Sequence, residues 1–279
     1  MRVVIVGSGT MGSGIAEVAI TAGDQAVLTD PDPVARERAR RQIETHLARG
    51  AEKGRITETV SDIMARLDVS ETAPLDAVDW VIEAAPEDIR LKQDLFRDLD
   101  ERYPESTWLA SNTSSIAINT IGATARRFPG RIGGLHFFNP VPRMALVEIV
   151  RGMETASQYV SSAQSLVQRW GKTGIAVPDR PGFLVNRVAR PYYLEALHLV
   201  DEAVASLELV DAVMEGVGFP MGPFRVMDLV GVDVNLSVTR AVYEQTAFDE
   251  RYRPHPMQEH LVQRGRLGRK SGWGFYRYD

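Results

Sequence analysis

The chain has 279 residues, 44% of them hydrophobic and 25% charged, with a formal net charge of −5 and no cysteine. That is enough chain for two domains at about 100–200 residues each, and the acidic balance excludes a global basic field for nucleic acid. The lack of cysteine excludes disulfides, thiolate catalysis and cysteine-ligated metal, and no apolar run approaches the ~18–20 residues that span a bilayer. The opening MRVVIVGSGTMG passes from a short apolar run straight into glycines, unlike a secretory signal. These features predict a protein of a reducing cytoplasm, with no nucleic-acid or membrane partner.

In chain order, Val3–Val6 is a β-branched apolar run ending at Gly7, which reads as a buried strand. Ile15, Val18, Ala19 and Ala22 then recur at helical spacing, and Gly23 can stop that helix. Ala26–Thr29 reads as a second strand ending at Asp30, which completes a βαβ unit within thirty residues. From Val34 to about Asp68 the pattern predicts a pair of helices, with Ile43 and Leu47 on the apolar stripe and Gly50 and Gly54 at the break. Short apolar runs at Val78–Ile82, Trp108–Ala110, Ile132–Leu135, Leu146–Val150 and Ile175–Val177 alternate with helical patterns. The alternation predicts an α/β fold with a doubly wound, mainly parallel sheet. After Pro178-Asp179-Arg180-Pro181-Gly182 only helical patterns follow. A linker there divides the chain into an α/β domain, residues 1–181, and a smaller all-helical domain, residues 182–279.

Gly7, Gly9 and Gly12 spell G-x-G-x-x-G between a strand and a helix, with Thr10 and Met11 opening that helix. The first glycine permits a tight turn, the second a close approach of backbone to a pyrophosphate, and the third close helix–strand packing. The helix N-terminus adds free N–H groups and a partial positive charge. Asp30, 18 residues after Gly12, can accept hydrogen bonds from an adenosine ribose and repel a 2′-phosphate, which favours NAD over NADP. Arg36 and Arg38 are near enough to serve a 2′-phosphate, or they form a solvated helix face.

His136 is expected at the carboxyl end of a strand, and Glu148 on a strand that returns after Asn139-Pro140-Val141-Pro142. A carboxylate flanked by Val147 and Ile149 is costly without a partner. An imidazole is a suitable one, because the carboxylate fixes its tautomer and stabilises its protonated form. Such a pair can take a hydroxyl proton as hydride leaves the same carbon. A structural histidine and a solvent-facing glutamate are the plain alternatives. Ser111-Asn112-Thr113-Ser114-Ser115 follows another strand and can bind a substrate oxygen or cap a helix. Asn186, just inside the first helix of the second domain, can polarise a carbonyl or tie the two domains together.

These residues resemble those of the L-3-hydroxyacyl-CoA dehydrogenase family, especially its short bacterial 3-hydroxybutyryl-CoA members. The matching strings are GSGTMGSGIA (7–16), VIEAAPED (81–88), LASNTSSI (109–116), GLHFFNPVPRMALVEIV (134–150), DRPGFLVNR (179–187), GFPMGPF (218–224) and GRKSGWGFY (268–276). The resemblance implies a Rossmann-type NAD-binding domain and a helical C-terminal domain that forms a homodimer. It implies NAD-linked interconversion of (S)-3-hydroxyacyl-CoA and 3-ketoacyl-CoA without a metal. It places the general base on His136, its partner on Glu148, substrate contacts on Ser114 and Asn186, and nucleotide contacts on Asp30, Glu87, Lys92, Ser114 and Asn139. It carries the coenzyme A contact onto Lys53, with His46 where the family often has serine. Seven basic residues against three acidic ones between Arg36 and Arg55 agree with an anionic ligand at that helix pair, or with a solvated face. Related dehydrogenases that act on free hydroxy acids, of L-gulonate or carnitine type, share the scaffold and remain the alternative, as does a non-catalytic NAD-binding protein.

Overall fold

The structure, a computed structural model, describes residues 1–74 and 78–278. Its chain divides into two compact units, Met1–Asp179 and Arg180–Asp279.

The first unit is built on eight strands: β1 (Arg2–Val6), β2 (Gln25–Thr29), β3 (Leu67–Ser70), β4 (Trp80–Glu83), β5 (Trp108–Ser111), β6 (Ile132–Phe137), β7 (Leu146–Arg151) and β8 (Thr173–Pro178). Their order in the sheet is β3-β2-β1-β4-β5-β6-β7-β8. The pairings are parallel except β6 with β7, which is antiparallel. The helices are α1 (Thr10–Thr21), α2 (Pro33–Glu52), α3 (Val60–Met64), α4 (Ile89–Arg102), α5 (Ile118–Gly122) and α6 (Ser157–Arg169). The sheet is doubly wound and Rossmann-type. The chain leaves β1 toward one edge and returns through β4 on the other side, so strand order reverses between β1 and β4. A crevice opens outside the carboxyl ends of the strands at such a reversal.

The central strands are apolar on both faces, as sandwiching between helices requires. Val3, Val4 and Ile5 are fully buried, as are Ile15, Ala19 and Ile20 of α1. Trp80, Trp108 and Tyr159 of α6 form an aromatic cluster with ring centroids 5.4–6.1 Å apart, Tyr159 meeting both tryptophans edge to face. Tyr159 lies so close to β6 that a Cβ on Gly133 would sit 2.3 Å from its ring.

Two details differ from the sequence expectation. The helix pair over 34–68 ends early: α2 runs through Gly50 to Glu52, the turn comes at Gly54 with φ +65°, and α3 ends at Met64. Leu67 and Asp68 begin strand β3, an edge strand paired to β2, with Leu67 buried and Asp68 exposed. Its four residues alternate too briefly to announce a strand. Strand β6 also reaches two residues beyond Leu135, because His136 and Phe137 pair with Glu148 and Val147.

The second unit is helical: α7 (Val185–Asp201), α8 (Leu207–Gly216), α9 (Pro223–Val230), α10 (Val232–Gln245) and α11 (Pro256–Gln263). Its core gathers Leu194, Leu197, Val210, Phe224 and Met227. The buried Asp228 carboxylate accepts from Phe275 N, Tyr276 N and the Tyr278 hydroxyl, each at 2.9 Å, and so pins the C-terminal tail to α9.

Candidate active site

The glycine loop divides its work by position. Gly7 has φ +104°, and a Cβ there would come 2.6 Å from Ala84 O; a Cβ on Gly12 would lie 1.8 Å from Gly7 O. Both glycines are therefore required by the fold. Gly9 differs: nothing lies within 4 Å of its would-be Cβ. It is also the N-cap of α1, with no side chain capping the helix. The first-turn N–H groups of Thr10, Met11 and Gly12 thus have no capping side chain, and an anionic ligand can take them.

Asp30 stands beside this loop at the end of β2. Its Oδ2 accepts from Ser8 N and Ser8 Oγ, both at 2.9 Å, and its Oδ1 accepts from Asp32 N at 3.0 Å. Partial burial opposes ionisation, but these hydrogen bonds outweigh it and hold the carboxyl below its usual range. Oδ2 has both lone pairs engaged, which leaves Oδ1 to accept from a ribose hydroxyl. Arg36 donates to Asp30 O at 2.5 Å and to Pro31 O at 3.2 Å, while Arg38 is exposed. Arg36 therefore buttresses the turn. An open helix N-terminus beside an ionised carboxylate fits a dinucleotide with an unmodified ribose.

Further along the crevice, Glu87 and Lys92 take different places. Glu87 Oε1 accepts from Thr113 Oγ1 at 2.6 Å, Ser115 Oγ at 2.9 Å, and the backbone N–H groups of Ser114 and Ser115 at 3.1 Å. Burial opposes its ionisation, and the Lys92 charge with these donors holds it below the ordinary value. Lys92 is 1% exposed; its Nζ donates to Glu83 Oε1 at 2.5 Å and Ala85 O at 3.2 Å. Ser111 Oγ donates to Glu83 Oε2 at 2.6 Å. Lys92 thus lies beneath the crevice and acts on it through Glu83 and Glu87. Glu83 went unread in the sequence, although the acidic end of an apolar strand was the available signal.

The Ser111–Ser115 segment does not cap α5. The Asp179 carboxylate does that, accepting from Ile118 N at 3.0 Å and Asn119 N at 2.8 Å. Asn112 Oδ1 instead accepts from Phe137 N at 2.9 Å, tying the segment to β6 one residue past His136. Ser114 is partly exposed on the same loop.

His136 and Glu148 face each other across the β6–β7 ladder. Nδ1 lies 2.7 Å from Oε2, with the imidazole 6% and the carboxylate 0% exposed. A buried carboxylate accepts, so the proton on this bond belongs to Nδ1. Phe138 stacks at a tilt on the imidazole, centroids 4.5 Å apart. Asn139 is exposed at the start of the following turn, which is closed by Arg143 N and Met144 N donating to Pro140 O. Val141 packs this turn on α1: a Cβ on Gly14 would be 2.9 Å from it. Buried Lys172 donates to Val141 O at 2.6 Å and Met144 O at 2.8 Å, and burial lowers its pKa.

His46 and Lys53 line one cavity of about 780 Å³ in the first unit, together with Arg49, Arg55, Arg143 and Lys172. The turn between β6 and β7 forms its opposite wall through Pro140, Pro142 and Met144. Asn186 lies in the first turn of α7, where its carbonyl accepts from Arg190 Nε at 3.2 Å. Among the described residues no group of three or more His, Asp or Glu is arranged to hold a metal ion.

The family model described as 3-hydroxyacyl-CoA dehydrogenase, NAD binding domain, matches residues 2–180, and its C-terminal domain model matches residues 182–278. A 3-hydroxyadipyl-CoA dehydrogenase of Escherichia coli is 46% identical over 98% of this chain, which spans 58% of that protein's length. A probable 3-hydroxybutyryl-CoA dehydrogenase of Bacillus subtilis is 42% identical, covering 100% of this chain and 97% of its own. The crystal structure of (S)-3-hydroxybutyryl-CoA dehydrogenase from Ralstonia eutropha superposes with a TM-score of 0.94 at 38% identity, over 100% of this chain and 99% of that one.

Proposed function

The chain belongs to the 3-hydroxyacyl-CoA dehydrogenase family, with NAD as its cofactor, and from that premise we propose that it interconverts (S)-3-hydroxyacyl-CoA and 3-ketoacyl-CoA, with 3-hydroxybutyryl-CoA as substrate. The observation that carries the reading is the buried His136–Glu148 pair, 2.7 Å apart at the crevice end of the sheet.

In this mechanism NAD, when bound, supplies the hydride acceptor. The chain's own residues manage the proton and the oxygen. With Nδ1 engaged by Glu148, Nε2 of His136 takes the proton of the 3-hydroxyl, and returns it in the reverse direction. Glu148 offsets the charge that forms on the ring, at a site where low exposure strengthens the attraction. Ser114 holds the substrate oxygen as a hydrogen-bond donor. Glu87 orders the loop that carries Ser114, while Asp30 receives the ribose and Asn139 the nicotinamide end. Lys53 and His46 receive the coenzyme A end at the basic cavity, which acts as remote binding.

Two similar proteins are named for different acyl groups, 3-hydroxyadipyl and 3-hydroxybutyryl. The shorter group is supported by the match to the Bacillus subtilis protein over 100% of this chain and 97% of that one. A homodimer through the second unit is part of the proposal: Leu209 and Val213 of α8 and Val217 at its C-terminal cap are exposed at four-residue spacing, an apolar stripe suited to a second copy. A cytoplasmic location is supported by the cysteine-free composition, and no helix among the described residues is long and apolar enough to cross a membrane.

Steady-state kinetics with acetoacetyl-CoA, free acetoacetate and gulonate, each with NADH and NADPH, test the proposal. Acetoacetyl-CoA with NADH is the expected pair, and Lys53→Ala should raise its KM more than it lowers kcat. Equal turnover of free acetoacetate would move the assignment to a dehydrogenase of free hydroxy acids.

A further inference from the structure

The cavity that holds His46 and Lys53 is lined by cations from several directions. Arg49 comes from α2, Lys53 from its C-terminal cap, Arg55 from the segment after it, Arg143 from the turn between β6 and β7, Arg169 from the end of α6 and Lys172 from the turn that follows. One carboxylate stands among them. Glu17, on the third turn of α1, is only 8% exposed and lines the same cavity. A negative charge here opposes an anionic ligand, and a buried carboxylate is costly unless it is paired. Its carboxylate partner is Nδ1 of His46, 3.1 Å from Oε2, and that imidazole is 42% exposed. Burial pushes the Glu17 carboxyl up, while the hydrogen bond and charge of His46 pull it back.

We infer that Glu17 is a positioning residue for substrate binding: it anchors Nδ1 of His46 and fixes the imidazole so that its other edge meets the anionic end of the substrate. The inference rests on the proposed role of this cavity. Two considerations favour it. A half-exposed histidine with no anchor samples several rotamers, and a partner at Nδ1 restricts them. Glu17 is rooted in the nucleotide helix α1, against which the β6–β7 turn also packs, so the anchor is rigid.

The test is a four-enzyme cycle of wild type, Glu17→Gln, His46→Gln and the double variant, measured with acetoacetyl-CoA and NADH. Glu17→Gln should raise KM for acetoacetyl-CoA about two- to fivefold, the range of a partly exposed ion pair, with kcat and KM for NADH unchanged. Added to His46→Gln, it should have no further effect on KM. An increment that persists in the His46→Gln background, or a parallel change in kcat and KM for NADH, would assign Glu17 to helix packing and overturn the inference. His46→Gln alone must also raise KM, which keeps the idea exposed if Glu17→Gln does not fold. A wild type that fails to reduce acetoacetyl-CoA removes the functional reading and this inference with it. A wild type that reduces it, with KM unmoved in both single variants, removes the inference alone.

Discussion

His136 and Glu148 are directly opposite each other on β6 and β7, and among the described residues these two strands form the one antiparallel pairing in the eight-stranded sheet. The cross-strand register, rather than a flexible loop, sets their 2.7 Å contact. A slip of one residue would turn Glu148 to the other face of the sheet. Buried Val147 and Ile149 flank it and resist such a slip, because both would have to leave the core.

The nucleotide preference follows from the surroundings of Asp30. Its carboxyl is held ionised by Ser8 and Asp32, with Oδ1 still able to accept. NADH should therefore outperform NADPH in kcat/KM. Asp30→Ala should narrow that gap, with a loss of about 1.5–3 kcal/mol in NADH binding, typical of a hydrogen bond to a charged acceptor. Equal use of both nucleotides by the wild-type enzyme would refute the role.

Gly9 and Gly12 should separate binding from folding. Ala at Gly9 meets open space in the free protein, so Gly9→Ala should keep its melting temperature within the small cost of an altered N-cap. It should nonetheless weaken NADH binding, because the methyl occupies the approach of the pyrophosphate. Gly12→Ala drives a methyl to 1.8 Å from a carbonyl oxygen and should destabilise the first unit outright. Thermal melts beside NADH titrations of both variants check the contrast; equal melting temperatures would contradict it.

Much of this site could be read in the sequence, for a definite reason. The glycine loop, Asp30, His136 and Glu148 each sit at the end or in the middle of a short apolar run, so local pattern located them. Glu83 and Lys92 were harder to interpret. Their pairing joins the end of β4 to the first turn of α4, and helical periodicity does not reveal that Lys92 faces inward. Glu17 is similar, since a glutamate in a helix reads as a solvated position until α2 covers it. Strand β3 was missed because Leu67-Asp68-Val69-Ser70 is too short to separate from the end of a helix.

The second unit should be acid-sensitive through His255. Its Nδ1 accepts from Met257 N at 3.3 Å and caps α11, which requires an unprotonated nitrogen. Burial and the neighbouring His198, ring centroids 4.8 Å apart, lower its pKa from 6.5, against the opposing pull of Asp201. The unfolded chain therefore takes up this proton at higher pH than the folded one. The stability due to His255 is complete above about 6.5 and is lost as pH falls from there through the lower folded value. Denaturant melts from pH 8 to pH 5 should show this decline, and His255→Asn, which keeps a cap acceptor, should flatten it. An identical decline in the variant would place the sensitivity elsewhere.

If His136 and Glu148 act as one proton-transfer unit, a double-mutant cycle on the rate of acetoacetyl-CoA reduction should show it. His136→Gln should lower the rate about 10²–10⁴-fold, the usual worth of a positioned general acid or base, with NADH affinity nearly unchanged. Glu148→Gln keeps the shape but removes the charge that balances the imidazolium, so it should also be slow. The double variant should be no slower than His136→Gln alone, because a base already absent cannot be weakened further. Losses that multiply across the two changes would contradict it, and would give Glu148 a role independent of the imidazole 2.7 Å away.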